Sequence, residues 1–320
     1  MEEQRKLAVS IDDDSISMAW VSDHGRLGPA ETRPIAEFRT LTDALLAYEK
    51  KAGTPLLGAA CALGVLGATY GETILLSRGN WAISRSGLRS IFGRDAIVIN
   101  DVAARAWAAI GGMGTRLEGL SAAAAPDFHR RGRWALTKVD AGVGLAVIDI
   151  DDTGVVRVLE CEMGHCGFAP ATEEDRALAV ALAARHGGFA TWEMALTLSP
   201  EDPVWSAPGL PATRSQRAAM IARLAGRYTG DTVLAHGAWT GAILTGRRIS
   251  ELLADSGTAA FNAGFDTKPK FARLMRGAAR WRLVGQNLTL SGCAVALERH
   301  GAMLQAGPTP QSQSAHGIAY

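Results

Sequence analysis

The sequence predicts a two-domain α/β protein with one mixed sheet in each half. Two observations point there. A β-rich pair of runs around a short polar loop, followed by alternating strand and helix patterns, occurs twice along the chain. The length of 320 residues is also about twice the roughly 150 that one domain commonly takes. With 48% hydrophobic and 20% charged residues, the chain has enough apolar material for sizeable cores and too much for disorder.

The elements follow in order. Residues 7–11 (LAVSI) and 16–21 (ISMAWV) flank the acidic turn Asp12-Asp13-Asp14-Ser15 and read as a hairpin. Residues 40–52 place apolar side chains at helical spacing behind Thr40, a good N-cap. Residues 61–65 read as a buried strand and 84–92 as a short helix capped by Ser84. The apolar run 96–99 predicts another buried strand, which runs into Asn100-Asp101 and an Ala-rich helix over 102–110. A domain boundary is expected at residue 111, where the Gly- and Ala-punctuated stretch 111–132 begins. Strands are expected over 133–140 and 145–150, around Ala141-Gly142-Val143-Gly144, and over 155–159. Helices are expected over 173–186 and 215–228, then a buried strand over 231–235 leading into His236-Gly237-Ala238. No repeat has a fixed period, and only the polar tail 311–314 is low in complexity.

Charge and composition exclude several function classes. Lys plus Arg is 33 and Asp plus Glu is 32, a balance that argues against a dedicated nucleic-acid binder, which needs a concentrated excess of cations. No apolar run approaches the roughly 18 residues that cross a bilayer. The charged start Met1-Glu2-Glu3-Gln4-Arg5-Lys6 does not read as a secretory signal, so a soluble, cytoplasmic protein is expected. Glycine, at 36 residues, favours many tight turns and close backbone approaches. Cys61, Cys161, Cys166 and Cys293 are too sparse for a disulfide scaffold. Cys161, His165 and Cys166 match no common zinc spacing, so no metal ligand set is assigned and buried free thiols are expected.

The segment Ala96-Ile97-Val98-Ile99-Asn100-Asp101 carries the first chemical signal. It puts a carboxylate at the carboxyl end of a sheet strand, where open α/β sheets bind ligands. An Asp there, beside an Asn able to fix a hydroxyl, suits a general base acting on an alcohol. The same two residues could simply cap the helix that follows.

A second segment, Glu162-Met163-Gly164-His165-Cys166-Gly167-Phe168-Ala169-Pro170, also follows a strand. Together with Asn100-Asp101 it resembles the bacterial glucokinase family of the hexokinase–actin superfamily, in which I-N-D carries the catalytic Asp and E-G-G-H-x-x-F-A-P the sugar-binding Glu and His. The likeness extends through Gly64-Val65-Leu66-Gly67 and Trp81-Ala82-Ile83-Ser84. It continues to Phe189-Ala190-Thr191-Trp192-Glu193, where the family places a further sugar-contacting Glu. It ends at Thr289-Leu290-Ser291-Gly292-Cys293-Ala294, with Thr289 where the family has Gly.

The resemblance implies a two-domain actin-like ATPase (ribonuclease H-like) fold with the sugar cleft between the domains. The small domain would be residues 1–110 plus a C-terminal helix at about 295–320, and the large domain 111–294. It implies a hexose kinase that moves the γ-phosphoryl group of ATP, with Mg²⁺, to the 6-hydroxyl of glucose or a related sugar. Asp101 would be the catalytic base, and Asn100, Asp101, Glu162, His165 and Glu193 would bind the sugar, whose hydroxyls suit bidentate carboxylates and amides. Asp12, Ser15, Gly142, Gly144 and Gly237 would serve the nucleotide. Members of the family often dimerise, and nothing in the composition argues against a homodimer.

The nucleotide elements depart from the family pattern. D-x-G-G-T-N-x-R in the first hairpin is replaced by Ile11-Asp12-Asp13-Asp14-Ser15-Ile16-Ser17-Met18, whose leading Asp aligns with Ile11 unless the register shifts. Both glycines are gone, and like charges about 4 Å apart cost on the order of 1–4 kcal/mol. G-x-G-T-G-L-G becomes Lys138-Val139-Asp140-Ala141-Gly142-Val143-Gly144. The G-G of the adenosine segment becomes His236-Gly237-Ala238-Trp239, where Trp239 could stack on a base or obstruct it. The sugar elements are kept while all three nucleotide elements are altered. A catalytically weak or inactive sugar-binding relative is therefore the alternative to a kinase. Another phosphoryl donor, such as polyphosphate or ADP, ranks last because the acidic turn opposes a long polyanion.

Overall fold

The computed structural model describes residues 4–76, 81–121, 124–254 and 256–306. The polar tail 311–314 lies outside the described residues.

Strand β1 (Lys6–Ile11) and strand β2 (Ser15–Val21) pair antiparallel, Ile11 opposite Ile16, and close on the three-aspartate turn. Strand β3 (Glu31–Pro34) extends this hairpin, and helix α1 (Leu41–Ala52) follows behind a capping box of Thr40 and Asp43. Strand β4 (Ala60–Val65) runs parallel to β1. The short pair β5 (Thr73–Leu75) and β6 (Ala82–Ser84) precedes α2 (Arg85–Phe92), whose N-cap is Ser84. Strand β7 (Ile97–Asn100) runs parallel to β4 and leads directly into α3 (Asp101–Gly111).

The second half repeats the pattern. After β8 (Thr115–Gly119), the hairpin of β9 (Gly132–Val139) and β10 (Val143–Ile150) is extended by β11 (Val156–Cys161). Helices α4 (Glu173–Arg185), α5 (Trp192–Leu196) and α6 (Arg214–His236) come next. Strand β12 (Gly241–Thr245), helices α7 (Arg247–Leu252), α8 (Gly257–Phe265) and α9 (Ala272–Gly277), strand β13 (Ala279–Gly285) and helix α10 (Leu288–Ala306) complete the chain. The first sheet has the order β3-β2-β1-β4-β7 and the second β11-β10-β9-β12-β13-β8. In both, a hairpin with one antiparallel extension adjoins two parallel strands. Strand β8 is the one addition.

Two helices lie between the sheets. Ala104 of α3 packs with Leu290, Cys293 and Ala294 of α10 against Ala8, Ala19 and Ala62 of the first sheet. The other side of α3, with Val102 and Ala106, packs on Trp134, Leu136 and Ile148 of the second. Small side chains on the first contact and large ones on the second set the spacing of the layers. The outer face of the second sheet is covered by the helices from α4 to α9. Among the described residues, no helix is long and apolar enough to cross a membrane.

Three expectations are corrected. Residues 231–235 are not a strand; α6 runs without a break from Arg214 to His236. Val233 of the apolar run joins the core under the second sheet, and Gly226 is required because a Cβ at that position would lie 1.9 Å from the Phe261 carbonyl oxygen. Strand β8 occupies part of the polar stretch 111–132, where no element is expected, paired to β13. The last helix begins at Leu288, seven residues earlier than the expected 295, and of the expected span 295–320 residues 307–320 lie outside the described residues.

Candidate active site

The carboxyl end of β7, the β1–β2 turn, the β9–β10 turn and the segment after β12 converge on one cleft of about 770 Å³. Of the residues expected in a site, Asp12, Asn100, Asp101, Gly142, Gly144, Glu162, His165 and Glu193 line it. Ser15 and Gly237 do not.

Asn100 and Asp101 sit at the junction of strand and helix. Asn100 is the N-cap of α3: its Oδ1 accepts from the Val102 N–H at 2.8 Å, and its Nδ2 donates to the Gly67 carbonyl at 3.0 Å. Capping and cleft lining are thus both true of this residue. Its backbone N–H donates at 2.7 Å to Glu160 Oε1, while Glu160 Oε2 accepts from the Thr69 hydroxyl at 2.7 Å. Glu160 therefore fixes the strand end that presents Asp101.

Asp101 is only 3% exposed. Its Oδ2 accepts from Lys138 Nζ at 2.6 Å and lies 3.9 Å from Arg105 Nε, one helical turn along α3. Arg105 also reaches Thr245 Oγ1 at 3.4 Å and lies 4.0 Å from Asp140 Oδ2.

In the first hairpin, Ile11 is fully buried in the core beneath the sheet, whereas Asp12 turns into the cleft toward Arg105, Lys138 and Asp101. Burial pushes the Asp12 carboxyl above the usual range and the Asp101 charge adds to this, while Arg105, Lys138 and a Ser10 hydroxyl oppose it.

Glu162 precedes a 3₁₀ turn (Met163–His165) and Glu193 stands in the first turn of α5. His165 Nε2 is 3.8 Å from Glu162 Oε2, and His165 Nδ1 is 3.9 Å from Glu193 Oε1. Glu193 Oε2 accepts from the Val143 N–H at 2.9 Å, which ties this group to the β9–β10 turn. The turn at Gly164 needs glycine, since a Cβ there would meet the Val143 carbonyl oxygen at 2.2 Å. The result is an acceptor-rich cradle suited to hydroxyl groups.

Another wall of the cleft is lined by carboxylates. Asp140 Oδ1 accepts from the backbone N–H groups of Arg247 (2.6 Å) and Arg248 (3.4 Å). Asp12, Asp13 and Asp14 line the same wall. A triphosphate needs donors for its oxygens, and these four acids oppose it although Gly142, Gly144 and Gly246 also line the cleft. Gly237 is the left-handed C-cap of α6, at the far end of β12 from the cleft. Trp239 stacks on Phe271 with ring centroids 6.1 Å apart, outside the lining of the cleft. The residues that follow the buried strand are instead Thr245, Gly246 and Arg247.

Arg105, Glu160, Thr245 and Gly246 belong to no motif recognised in the sequence. An i,i+4 spacing from Asp101 marks Arg105, and the apolar run Ala242-Ile243-Leu244 before Thr245-Gly246 marks the segment after β12. Glu160 has no local signal, because its partners lie 60 and 91 residues away. Of the thiols, Cys61 and Cys293 are buried, Cys161 is half-buried and Cys166 is exposed, so burial holds for only part of the set.

Comparison with known proteins agrees with this geometry. The family profile described as Glucokinase matches residues 16–197. A glucokinase of Xanthomonas campestris pv. campestris (strain B100) is 26% identical over 291 residues, covering 81% of this chain and 84% of the relative. The crystal structure of a glucokinase from an Antarctic psychrotroph superposes with a TM-score of 0.73 at 21% identity, covering 93% of this chain and 100% of that one. The glucokinase of Balamuthia mandrillaris in complex with glucose superposes with a TM-score of 0.70 at 15% identity, covering 92% and 94%. The two sheets with two helices between them are accordingly the actin-like fold. The profile spans more than half of the chain, which belongs to the glucokinase family.

Proposed function

We propose that the cleft binds a hexose, and that this chain is a sugar-binding member of the family in which phosphoryl transfer from ATP is lost or severely slowed. Glu162, His165 and Glu193 would take the ring hydroxyls, with Asn100 and Asp101 at the hydroxymethyl end. The observation that carries this reading is the 2.6 Å ion pair between Lys138 and Asp101. A general base must accept a proton from the attacking hydroxyl, and the Lys138 ammonium already occupies one of the two oxygens of this carboxylate. The carboxylate-lined wall supports the same reading, because phosphoryl transfer relies mainly on positioning and charge stabilisation.

A second reading, hexose phosphorylation, is favoured by one feature. Lys138 and Arg105 place two positive charges beside Asp101, where negative charge develops in such a transfer.

Thermal unfolding with glucose, alongside a coupled assay for ADP release, tests both. The proposal predicts a glucose-dependent rise in melting temperature and no turnover with Mg·ATP. Turnover on the order of 1–100 s⁻¹, abolished by Asp101→Ala, would establish the second reading instead. No thermal response to glucose, mannose or fructose would contradict the sugar assignment itself.

A further inference from the structure

We propose that the preferred ligand of this cleft is a hexose already carrying a phosphate monoester at the 6-position, with Lys138 and Arg105 holding the phosphate. This deepens the sugar-binding reading above and rests on it.

A neutral polyol needs hydrogen-bond donors and acceptors but no concentration of cations. Beside Asp101, however, the cleft holds two cations with donors to spare. Lys138 Nζ carries three N–H donors and has one acceptor within the protein, Asp101 Oδ2. Arg105 carries five and makes one long bond, to Thr245 Oγ1 at 3.4 Å. Its Nε is buried without an acceptor. The two side chains are only 11% and 15% exposed, so water screens them weakly. Their position is the end of the sugar site where the 6-oxygen lies in the reading above.

A phosphate monoester supplies three acceptor oxygens and close to two negative charges, which matches this pair. The neighbouring acids leave donors of both cations open: Asp140 Oδ1 accepts from Arg247 N–H with its Oδ2 4.0 Å from Arg105, and Glu193 Oε2 accepts from Val143 N–H. Asp13 and Asp14 are exposed, where solvent screens them. A triphosphate would also have to run along the wall of Asp12, Asp13, Asp14 and Asp140. A monoester needs only the two side chains.

Calorimetric titration of the full-length protein with glucose, glucose 6-phosphate and inorganic phosphate, each alone, decides the matter. The expected result is glucose 6-phosphate binding at least about tenfold tighter than glucose, with inorganic phosphate weaker than either. Arg105→Met is expected to erase that preference, and Lys138→Arg, which keeps the charge, to retain it. Lys138→Met strips Asp101 of its partner and can fail to fold, so Arg105→Met carries the test. Equal affinity for the two sugars would overturn the proposal, as would inorganic phosphate binding as tightly as glucose 6-phosphate, or an unchanged preference in Arg105→Met. If glucose binds without any preference for the phosphate ester, this inference alone falls. If neither sugar binds, the hexose reading falls with it.

Discussion

The Lys138 ammonium donates to the Asp101 carboxylate at 2.6 Å, and the two residues come from different sheets. Asp101 follows the last strand of the first sheet, and Lys138 is near the end of β9 in the second. The ion pair thus joins the two halves of the protein at the floor of the cleft. It also engages the carboxylate proposed above to face the hydroxymethyl end of the sugar.

Removing one partner of a buried pair leaves an uncompensated charge. Lys138→Met is expected to lower stability by about 2–4 kcal/mol, at the lower side of the usual cost because Arg105 remains 3.9 Å from Asp101. The double variant Asp101→Asn/Lys138→Met should lose less than the sum of the two single variants. Urea denaturation of the four proteins measures this coupling, and strict additivity would refute it.

Asp12 gives a prediction of opposite sign. Its carboxyl is raised in the folded state by burial, so it titrates above its unfolded value of 3.8. Below that value both states hold the proton and the group is neutral in its effect. As pH rises, the unfolded chain loses the proton first, and stability falls as pH passes through the folded pKa. Asp12→Asn should therefore stabilise the protein at pH 7 and change little below about pH 4. Melting temperatures across pH 3–8 would show the two curves converging in acid.

The block that carries His165 is braced from behind. Burial alone would raise the Asp175 carboxyl, but hydrogen bonds from Arg223, Ala171 N–H and Thr172 outweigh it and hold the group below its usual range. Arg227 bonds both Asp175 Oδ2, at 2.7 Å, and the Ala169 carbonyl, at 2.6 Å. A depressed carboxyl stabilises the fold above its unfolded pKa and loses that contribution as pH falls through the folded value. Asp175→Asn should cost about 3 kcal/mol at pH 7 and flatten the loss of stability below about pH 4. An acid limb as steep as that of the unmodified protein would refute this.

Glu160 acts on the site through Asn100. Glu160→Ala leaves the Asn100 N–H and the Thr69 hydroxyl without their acceptor, each worth about 1–3 kcal/mol when buried. Because the strand end then loses its anchor, glucose affinity should fall about tenfold or more. Calorimetry would detect this, and unaltered affinity in a folded variant would show that Glu160 serves stability alone.

Much of this was legible in the sequence, for definable reasons. Strands such as 61–65 and 96–99, and helices with a strong cap such as Thr40 or Ser84, carry their signal locally. The Glu162-x-Gly164-His165 block was legible because Gly164 is forced by its contact with Val143. What escaped depends on tertiary packing. The β-branched run Thr232-Val233 has strand propensity, yet it continues a helix whose buried face joins the large core. The misplaced strand points to Gly237, which caps α6 away from the cleft, whereas Gly246 after β12 lines it. The pairing of Lys138 with Asp101 spans 37 residues and two sheets, and no local spacing encodes it.

The central claim is that the cleft binds a sugar while its carboxylate-lined wall rejects a nucleotide. Calorimetric titration of Mg²⁺ with a non-hydrolysable ATP analogue into glucose-saturated protein tests it most directly. The account predicts heat of binding for glucose and none for the nucleotide. Micromolar binding of the nucleotide analogue would contradict it and would return the chain to the working kinases of its family.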